Sequence, residues 1–421
     1  MTSTARVETG TDRRRVKRAV VASYVTFGGA GFAIASWASR IPQVRDRLHL
    51  EPSELGLVLL AVAVGSLLAL PLSGPMIARV GSRRTVTLTA ALLGVALMTV
   101  AFGYRIGVPP VVADLFLFGF AAGAWDVAIN VHGAHVEQQL GRSIMSRFHA
   151  GFSLGTVTGA LFGAAMVAGD VSVTVHLVVA ALVVVPSVVL AAMRFLPENA
   201  QSAVATDDTN GELAGSSPPA GQVAPRGAFA AWREPRTLLI GVFVLAFAFA
   251  EGVANDWIAV AVIDDHHASE AVGTLAFAMF LAAMTVARWF GPALLDRHGR
   301  VAVVRTIAVV GIAGTMLFVV APVTWLALVG VVLWGLGASL GFPVGMSAGA
   351  DEPALAASRV SVISSIGYCA FLTGPPLIGF LGDQITVLSA LVSVTALPAL
   401  AAVIAPIVRP PADVASRAAT M

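Results

Sequence analysis

Twelve stretches of roughly 20 apolar residues each, separated by short polar turns, constrain this chain more than any other feature of its sequence. They fall near 19–40, 54–77, 85–104, 110–131, 148–168, 171–193, 237–262, 271–291, 301–320, 323–348, 360–381 and 385–407. About 20 apolar residues is the length a helix needs to cross the hydrocarbon core of a bilayer. Inside that core each backbone N–H and C=O must be bonded within the spanning segment or a closed barrel. The pattern predicts an all-α membrane protein of twelve transmembrane helices. Composition agrees: 57% of the 421 residues are hydrophobic, a further 41 are glycine, and only 12% are charged, against about 25% charged in soluble domains. A soluble fold buries only about 75% of its surface at 300 residues, too little to hide so much apolar area. A water-soluble enzyme, a nucleic-acid binder and a disordered chain are excluded. The single cysteine, Cys369, rules out an internal disulfide and a Cys-rich metal site.

The basic residues set the orientation. With both termini inside, inner segments carry 22 of the 26 Lys and Arg residues, and the outer loops carry Arg40, Arg45, Arg47 and Arg105. This bias is the positive-inside pattern for two cytoplasmic ends. The bases lie between apolar spans and form no stripe, so the pI near 9.1 is not a sign of nucleic-acid binding. Arg13, Arg14, Arg15, Lys17 and Arg18 flank the first span as in a signal peptide. Its apolar run is too long for one and a second span follows at once, so it is expected to be retained. Arginine used almost to the exclusion of lysine, with abundant Ala, Gly and Val, fits a high-GC bacterial genome. The expected organisation is a basic tail (1–18), a six-helix bundle (19–195), a flexible inner linker (196–235), a second six-helix bundle (236–408) and a tail (409–421). The linker assignment rests on its polar, Gly/Pro/Ser-rich character, which cannot bury enough apolar area to order itself.

The halves echo each other. Gly74-Pro75-Met76-Ile77-Ala78-Arg79-Val80-Gly81-Ser82-Arg83 follows the second span, and Gly291-Pro292-Ala293-Leu294-Leu295-Asp296-Arg297-His298-Gly299-Arg300 follows the eighth. Arg79 and Arg297 stand 218 residues apart, and Phe118-Gly119 returns as Trp334-Gly335 at an offset of 216. Such a repeat predicts two pseudo-symmetric bundles about an axis along the membrane normal, with a binding site between them at mid-depth.

The first inner loop resembles the signature loop of the major facilitator superfamily at Gly74, Arg79, Gly81 and Arg83, although Ala78 replaces its acid and Ser82 one of its bases. The second copy keeps Asp296, Arg297, Gly299 and Arg300 with one extra residue after its first glycine. In that family the loop latches the halves on the cytoplasmic side when the transporter faces outward. Further segments are similar to the YbjJ-like bacterial inner-membrane branch: Ala35–Pro42, Val127–Val131, Glu251–Trp257, Trp334–Pro343 and Arg359–Val362. The resemblance implies a twelve-helix transporter in a bacterial inner membrane and says little about cargo.

Ionisable residues inside the membrane are functional candidates, because a charge at the bilayer centre costs at least about 2.5–3.5 kcal/mol on insertion scales. Glu251 lies near mid-depth of the seventh span with Asn255 on the same face. It is either a proton-coupling or substrate residue or a protonated structural acid. Asp126, with Asn130 four residues on, is either a similar site or half of an inner salt bridge to Arg142 or Arg147. The superfamily's sugar:proton symporters often carry an acid on this fourth helix. Arg40 and Asp256 end on helices that approach each other on the outer side in the superfamily fold, which implies an outer-gate pair. Trp37, Trp257, Trp334 and Phe342 are candidates to line the cavity, with packing or an interfacial belt as the alternative. His149 reads as a proton relay or a structural histidine. Gly151, Gly155, Gly159 and Gly163 recur every four residues, the spacing for close helix packing.

No phosphate-binding Gly-x-x-x-x-Gly-Lys loop occurs, and no cofactor or metal is expected. The expected function is a monomeric secondary transporter, not an enzyme, with a small-molecule substrate, protons and the lipid bilayer as its partners. The drug:proton antiporters' Gly-Pro motif is missing from the fifth span, which leans the expectation toward symport of a small polar solute such as a sugar. A proton-coupled exporter is the alternative, and a non-transporting membrane sensor is a further one.

Overall fold

The computed structural model describes residues 10–140, 144–197, 231–352 and 355–410. Most of the expected linker, the first nine residues and residues 411–421 lie outside these, and the second half of the expected N-terminal tail is the start of the first helix. Among the described residues the chain is helical throughout, with no strand. The helices are α1 (Gly10–Ala38), α2 (Ile41–Leu48), α3 (Pro52–Gly103), α4 (Val108–Leu140), α5 (Met145–Ala168) and α6 (Val173–Ala192). After the 198–230 segment come α7 (Pro235–Asp264), α8 (Glu270–Val320), α9 (Thr324–Ala338), α10 (Gly341–Gly349), α11 (Ala356–Gln384), α12 (Val387–Ala390) and α13 (Ala396–Ile404). Ten helical segments among the described residues are long and apolar enough to cross a membrane.

Two of these, α3 with 52 residues and α8 with 51, are far too long for one crossing. At about 1.5 Å per residue each runs over 70 Å, more than twice the ~30 Å core. Each is broken at a glycine, Gly81 (φ 81°, ψ 156°) and Gly299 (φ 75°, ψ 159°). That conformation is essentially open to glycine alone. The breaks stand 218 residues apart, the same interval as Arg79 and Arg297. The sequence repeat is therefore also a backbone repeat.

Within the N-terminal half (10–197), α3 packs on α4 and α6, and α1 on α5 and α6; in the C-terminal half (231–410), α8 packs on α9 and α7 on α11. The halves meet along two seams, α3 against α11 and α5 against α8. Small residues let the backbones approach. A side chain at Gly155 would run into the backbone of Gly28 on α1, and one at Gly56 into that of Pro375 on α11. The four-residue glycine stripe of the fifth span is thus a packing surface against α1. Leu57, Leu72, Leu88, Leu182, Trp325 and Phe380 are exposed around the perimeter, where a bilayer would cover them.

Candidate functional site

Ionisable and polar side chains on α4, α5, α7 and α8 form two bonded groups, one in each half. Midway along α7, the Oε2 of Glu251 accepts from Nη2 of Arg288 on α8 at 2.9 Å. Arg288 also donates through Nε to the carbonyl of Ser339 at 3.0 Å, in the break between α9 and α10. The two side chains keep 19% and 25% of their surface exposed, so the pair is sheltered but within reach of a solute. An arginine facing an acid in this way neutralises two charges that would otherwise be costly inside a membrane.

The N-terminal half answers with a three-residue chain. Asn130 Nδ2 donates to the Asp126 carbonyl (2.9 Å) and to its carboxylate Oδ1 (3.2 Å). The Asn130 side-chain oxygen meets Nε2 of His149 on α5 at 3.1 Å. Across the seam the charges act only through space, Arg288 on His149 and Asp126 on Tyr368 of α11. Asn255, one turn beyond Glu251, buries its side-chain oxygen without a partner among the described residues.

At the end that the charge bias leads one to expect outside, called the outer end from here on and its opposite the inner end, the halves are bonded directly. Both guanidinium nitrogens Nη1 and Nη2 of Arg45, on the short helix α2, pair with the Asp264 carboxylate that ends α7, the Nη2–Oδ1 contact at 2.7 Å. Arg45 is also held by its neighbour Asp46 at 2.6 Å. Gln43 donates to Glu270 at 2.7 Å and the Ser53 N–H to Asp383 at 3.1 Å. The expected Arg40–Asp256 gate pair is not formed. Arg40 is buried and spends its donors inside its own half, through Nε on His176 Nδ1 (2.7 Å) and through Nη2 on the Val171 carbonyl (2.8 Å). Asp256 makes no ion pair among the described residues. The outer cross-half pair lies five residues beyond Arg40 and eight beyond Asp256, where α2 packs on α7. The Asp264-Asp265-His266-His267 stretch is bonded in place: Asp264 takes Arg45, Asp265 accepts from the Leu388 N–H, and His266 meets the Phe318 carbonyl.

The inner end differs. Asp351, 4% exposed, takes Arg300 (2.8 Å) and Arg236 (3.1 Å), while Arg359 bonds Glu234 (2.7 Å) and Glu352 (3.1 Å). All of these lie within the C-terminal half. Of the signature-loop residues, Gly81 and Gly299 make the breaks and Arg300 joins this network. Gly74 has open space around it, and Arg79, Arg83, Asp296 and Arg297 are exposed. Among the described residues none of these bonds the opposite half.

The aromatic candidates are mostly core. Trp257 and Trp334 are fully buried and Trp37 nearly so. Trp334 packs against the rings of Phe280 and Phe318. These three pack helices instead of facing a cleft, because a helix face carrying a large ring is filled by its own bundle. Phe342 alone of the four is half-buried. Sequence reasoning missed Arg288, Tyr368 and Arg45. Arg288 carried a usable signal, since an arginine inside the eighth span is as costly as the acid in the seventh.

Comparison with known proteins places this architecture. The Major Facilitator Superfamily profile matches residues 19–353 and 257–420. An uncharacterised transporter of Sinorhizobium fredii is 30% identical over 380 residues, covering 90% of this chain and 95% of that protein. An uncharacterised MFS-type transporter of Yersinia pestis is 31% identical over 369 residues, 86% of this chain and 88% of that one. Among solved structures, the nucleoside transporter NupG superposes with a TM-score of 0.70 at 15% identity, over 94% of this chain and 98% of its own. FucP in its outward conformation gives 0.61 at 13% identity, over 93% and 99%. At these identities the likeness to the solved structures is one of fold.

Proposed function

Because the chain belongs to the Major Facilitator Superfamily, we propose that it carries a small solute across the membrane by alternating access, and that the structure described above is its inward-facing state. Twelve crossings fit: α3 and α8 each supply two, hinged at Gly81 and Gly299, and the other eight apolar segments supply one apiece. Two six-helix bundles then rock about the α3/α11 and α5/α8 seams, with both termini in the cytoplasm of a bacterial cell. The observation that carries the reading is the placement of the bonds between the halves. Among the described residues they all sit at the outer end, at Arg45–Asp264, Gln43–Glu270 and Ser53–Asp383, while the ionisable cluster below them stays partly exposed.

Proton coupling is the second element of the proposal, with Glu251 and Asp126 as carriers and Asn255 and Asn130 as their polar neighbours. Glu251 protonation would release Arg288, and Arg288 returning would expel the proton. A switch of this kind needs an acid paired with a single cation, and the Glu251–Arg288 bond supports that reading. The direction we favour is symport of a small polar solute into the cell. Reconstituted proteoliposomes with an imposed pH gradient test it. Solute uptake driven by acid on the side facing Arg45 supports symport, expulsion supports antiport, and flux indifferent to the gradient removes proton coupling.

A further inference from the structure

The inner rim of the N-terminal half carries bases that the protein leaves unpaired. Arg83 and Arg84 open the second segment of α3 (82–103), two and three residues past the Gly81 break, and Arg194 lies in the turn that closes α6. All three are exposed, and none makes an ion pair or side-chain hydrogen bond among the described residues. The two helices pack antiparallel: a side chain at Gly94 would meet Val185, and Thr174 donates through Oγ1 to the Ala101 carbonyl at 2.7 Å. Arg84 stands ten residues before Gly94 and Arg194 nine after Val185, about 14–15 Å along the axis in each case. The arginines therefore stand on neighbouring helices at the same level.

Each one heads an apolar strip. Leu88 and Val95 follow Arg84 by four and eleven residues, and Leu190 and Val183 precede Arg194 by the same intervals, which keeps each set on one helix face. All four apolar side chains are exposed, where the bilayer covers them. Beside Arg83 and Arg84 the surface falls into an open depression of about 400 Å³, lined also by Thr87 and Leu88. The other half has no copy of this arrangement. At the 218-residue interval of the repeat, Val301 and Ala302 stand where Arg83 and Arg84 do, and the preceding Arg300 is tied to Asp351. The positive-inside bias brings bases to this end, but it does not set three unpaired ones at the head of two adjoining strips.

We propose that Arg83, Arg84 and Arg194 form a site for an anionic phospholipid of the inner leaflet, its phosphate held by the guanidinium groups and its acyl chains lying along the Leu88–Val95 and Val183–Leu190 strips. Guanidinium matches phosphate oxygens in two-point geometry, and such charge-assisted bonds are about twice as strong as neutral ones. A free phosphate would use the bases and leave the strips unused. A zwitterionic lipid would bring its own cation to a set of cations. The bound lipid would also hold the start of the segment that follows the Gly81 break. The site faces the membrane and not the solute path, so it stands apart from the transport reading.

The test uses the purified, delipidated full-length protein in detergent. Its probes are dioleoyl phosphatidylglycerol, dioleoyl phosphatidylcholine, sn-glycerol 3-phosphate and inorganic phosphate. Native mass spectrometry counts the lipids retained, and thermal unfolding reads the stabilisation. Phosphatidylglycerol is expected to bind saturably and about tenfold more tightly than phosphatidylcholine, and the two soluble phosphates are expected not to stabilise. Arg84→Gln/Arg194→Gln should weaken phosphatidylglycerol about tenfold, and Arg84→Lys/Arg194→Lys should weaken it less. Arg233→Gln/Arg409→Gln removes the same charge from exposed bases of the other half and should leave binding unchanged. Without lipid each variant should melt with the unmodified protein, because every one of these side chains is exposed. Phosphatidylcholine binding as tightly as phosphatidylglycerol, or a soluble phosphate stabilising as well as the lipid, would overturn the proposal. So would equal weakening by the two glutamine pairs, or no weakening by Arg84→Gln/Arg194→Gln.

Discussion

The outer and inner ends of the interface between the halves hold comparable numbers of charged residues and use them in opposite ways. At the outer end Arg45, Gln43 and the Ser53 backbone reach across to Asp264, Glu270 and Asp383. At the inner end Arg236, Arg300 and Arg359 turn inward to Asp351, Glu234 and Glu352 of their own half. Bonds between the halves bias a conformational equilibrium, because they exist in one state and not in the other. Bonds within a half survive the rocking and contribute only to holding that half together. Charge count therefore does not identify a gate; connectivity does.

That distinction can be broken experimentally. The largest effect is expected from Asp351→Ala, which strands Arg236 and Arg300 beside a nearly buried position. Removing one partner of such a network costs about 3–5 kcal/mol. The melting temperature should fall while the balance of inward and outward states stays put; a change in that balance would show that the inner network also gates. Next is Gly299→Ala. A methyl group there meets nothing within 4 Å, so the loss, about 1–3 kcal/mol, comes from backbone strain alone. Gly81→Ala should match it if the two breaks are true counterparts, and thermal unfolding of the two variants side by side measures this.

The outer pair should act mainly on populations. Asp264 is 37% exposed, so screening limits what the bond contributes. Arg45→Ala is expected to raise the outward-facing fraction about tenfold, equivalent to about 1.4 kcal/mol. Spin labels at Arg47 and His267, in a Cys369→Ser background, would report this as a longer outer distance by pulsed electron resonance. Exchanging the charges (Arg45→Asp with Asp264→Arg) should restore the short distance. The smallest effect belongs to Gln43→Ala, which removes one exposed hydrogen bond of about 0.5 kcal/mol and should move the same distribution by about twofold in population. An Arg45→Ala distribution identical to that of the unmodified protein would deny α2 its role as the outer latch.

Reading along the chain found the long apolar helices, the repeat and the two acids on them, and the reasons are local. Apolar length reports a crossing directly, and the glycine that breaks α3 sits inside a motif that returns in α8. Glu251 and Asp126 stood out by the cost of their setting, and Asn130 proved to bond Asp126 through the four-residue spacing noted between them. The pairings were less visible. Arg40 and Asp256 were matched by helix proximity, yet His176, 136 residues away from Arg40, captured the guanidinium. Trp334 was legible as a large aromatic in an apolar span, but nothing local says whether such a ring points at a cleft or at Phe280.

What the sequence determined by itself is the part governed by the bilayer, apolar helical segments long enough to cross it, together with the repeat that links the halves. The first follows from the requirement that backbone groups be bonded within the segment. The tertiary structure decided which charges meet. Arg45 and Asp264 lie 219 residues apart, and Arg288 and Glu251 sit on different helices. An ion pair depends on a few ångströms and on the rotation of each helix about its own axis. That rotation is set by packing across the whole bundle, through contacts such as Gly155 on Gly28, and no window of sequence contains it.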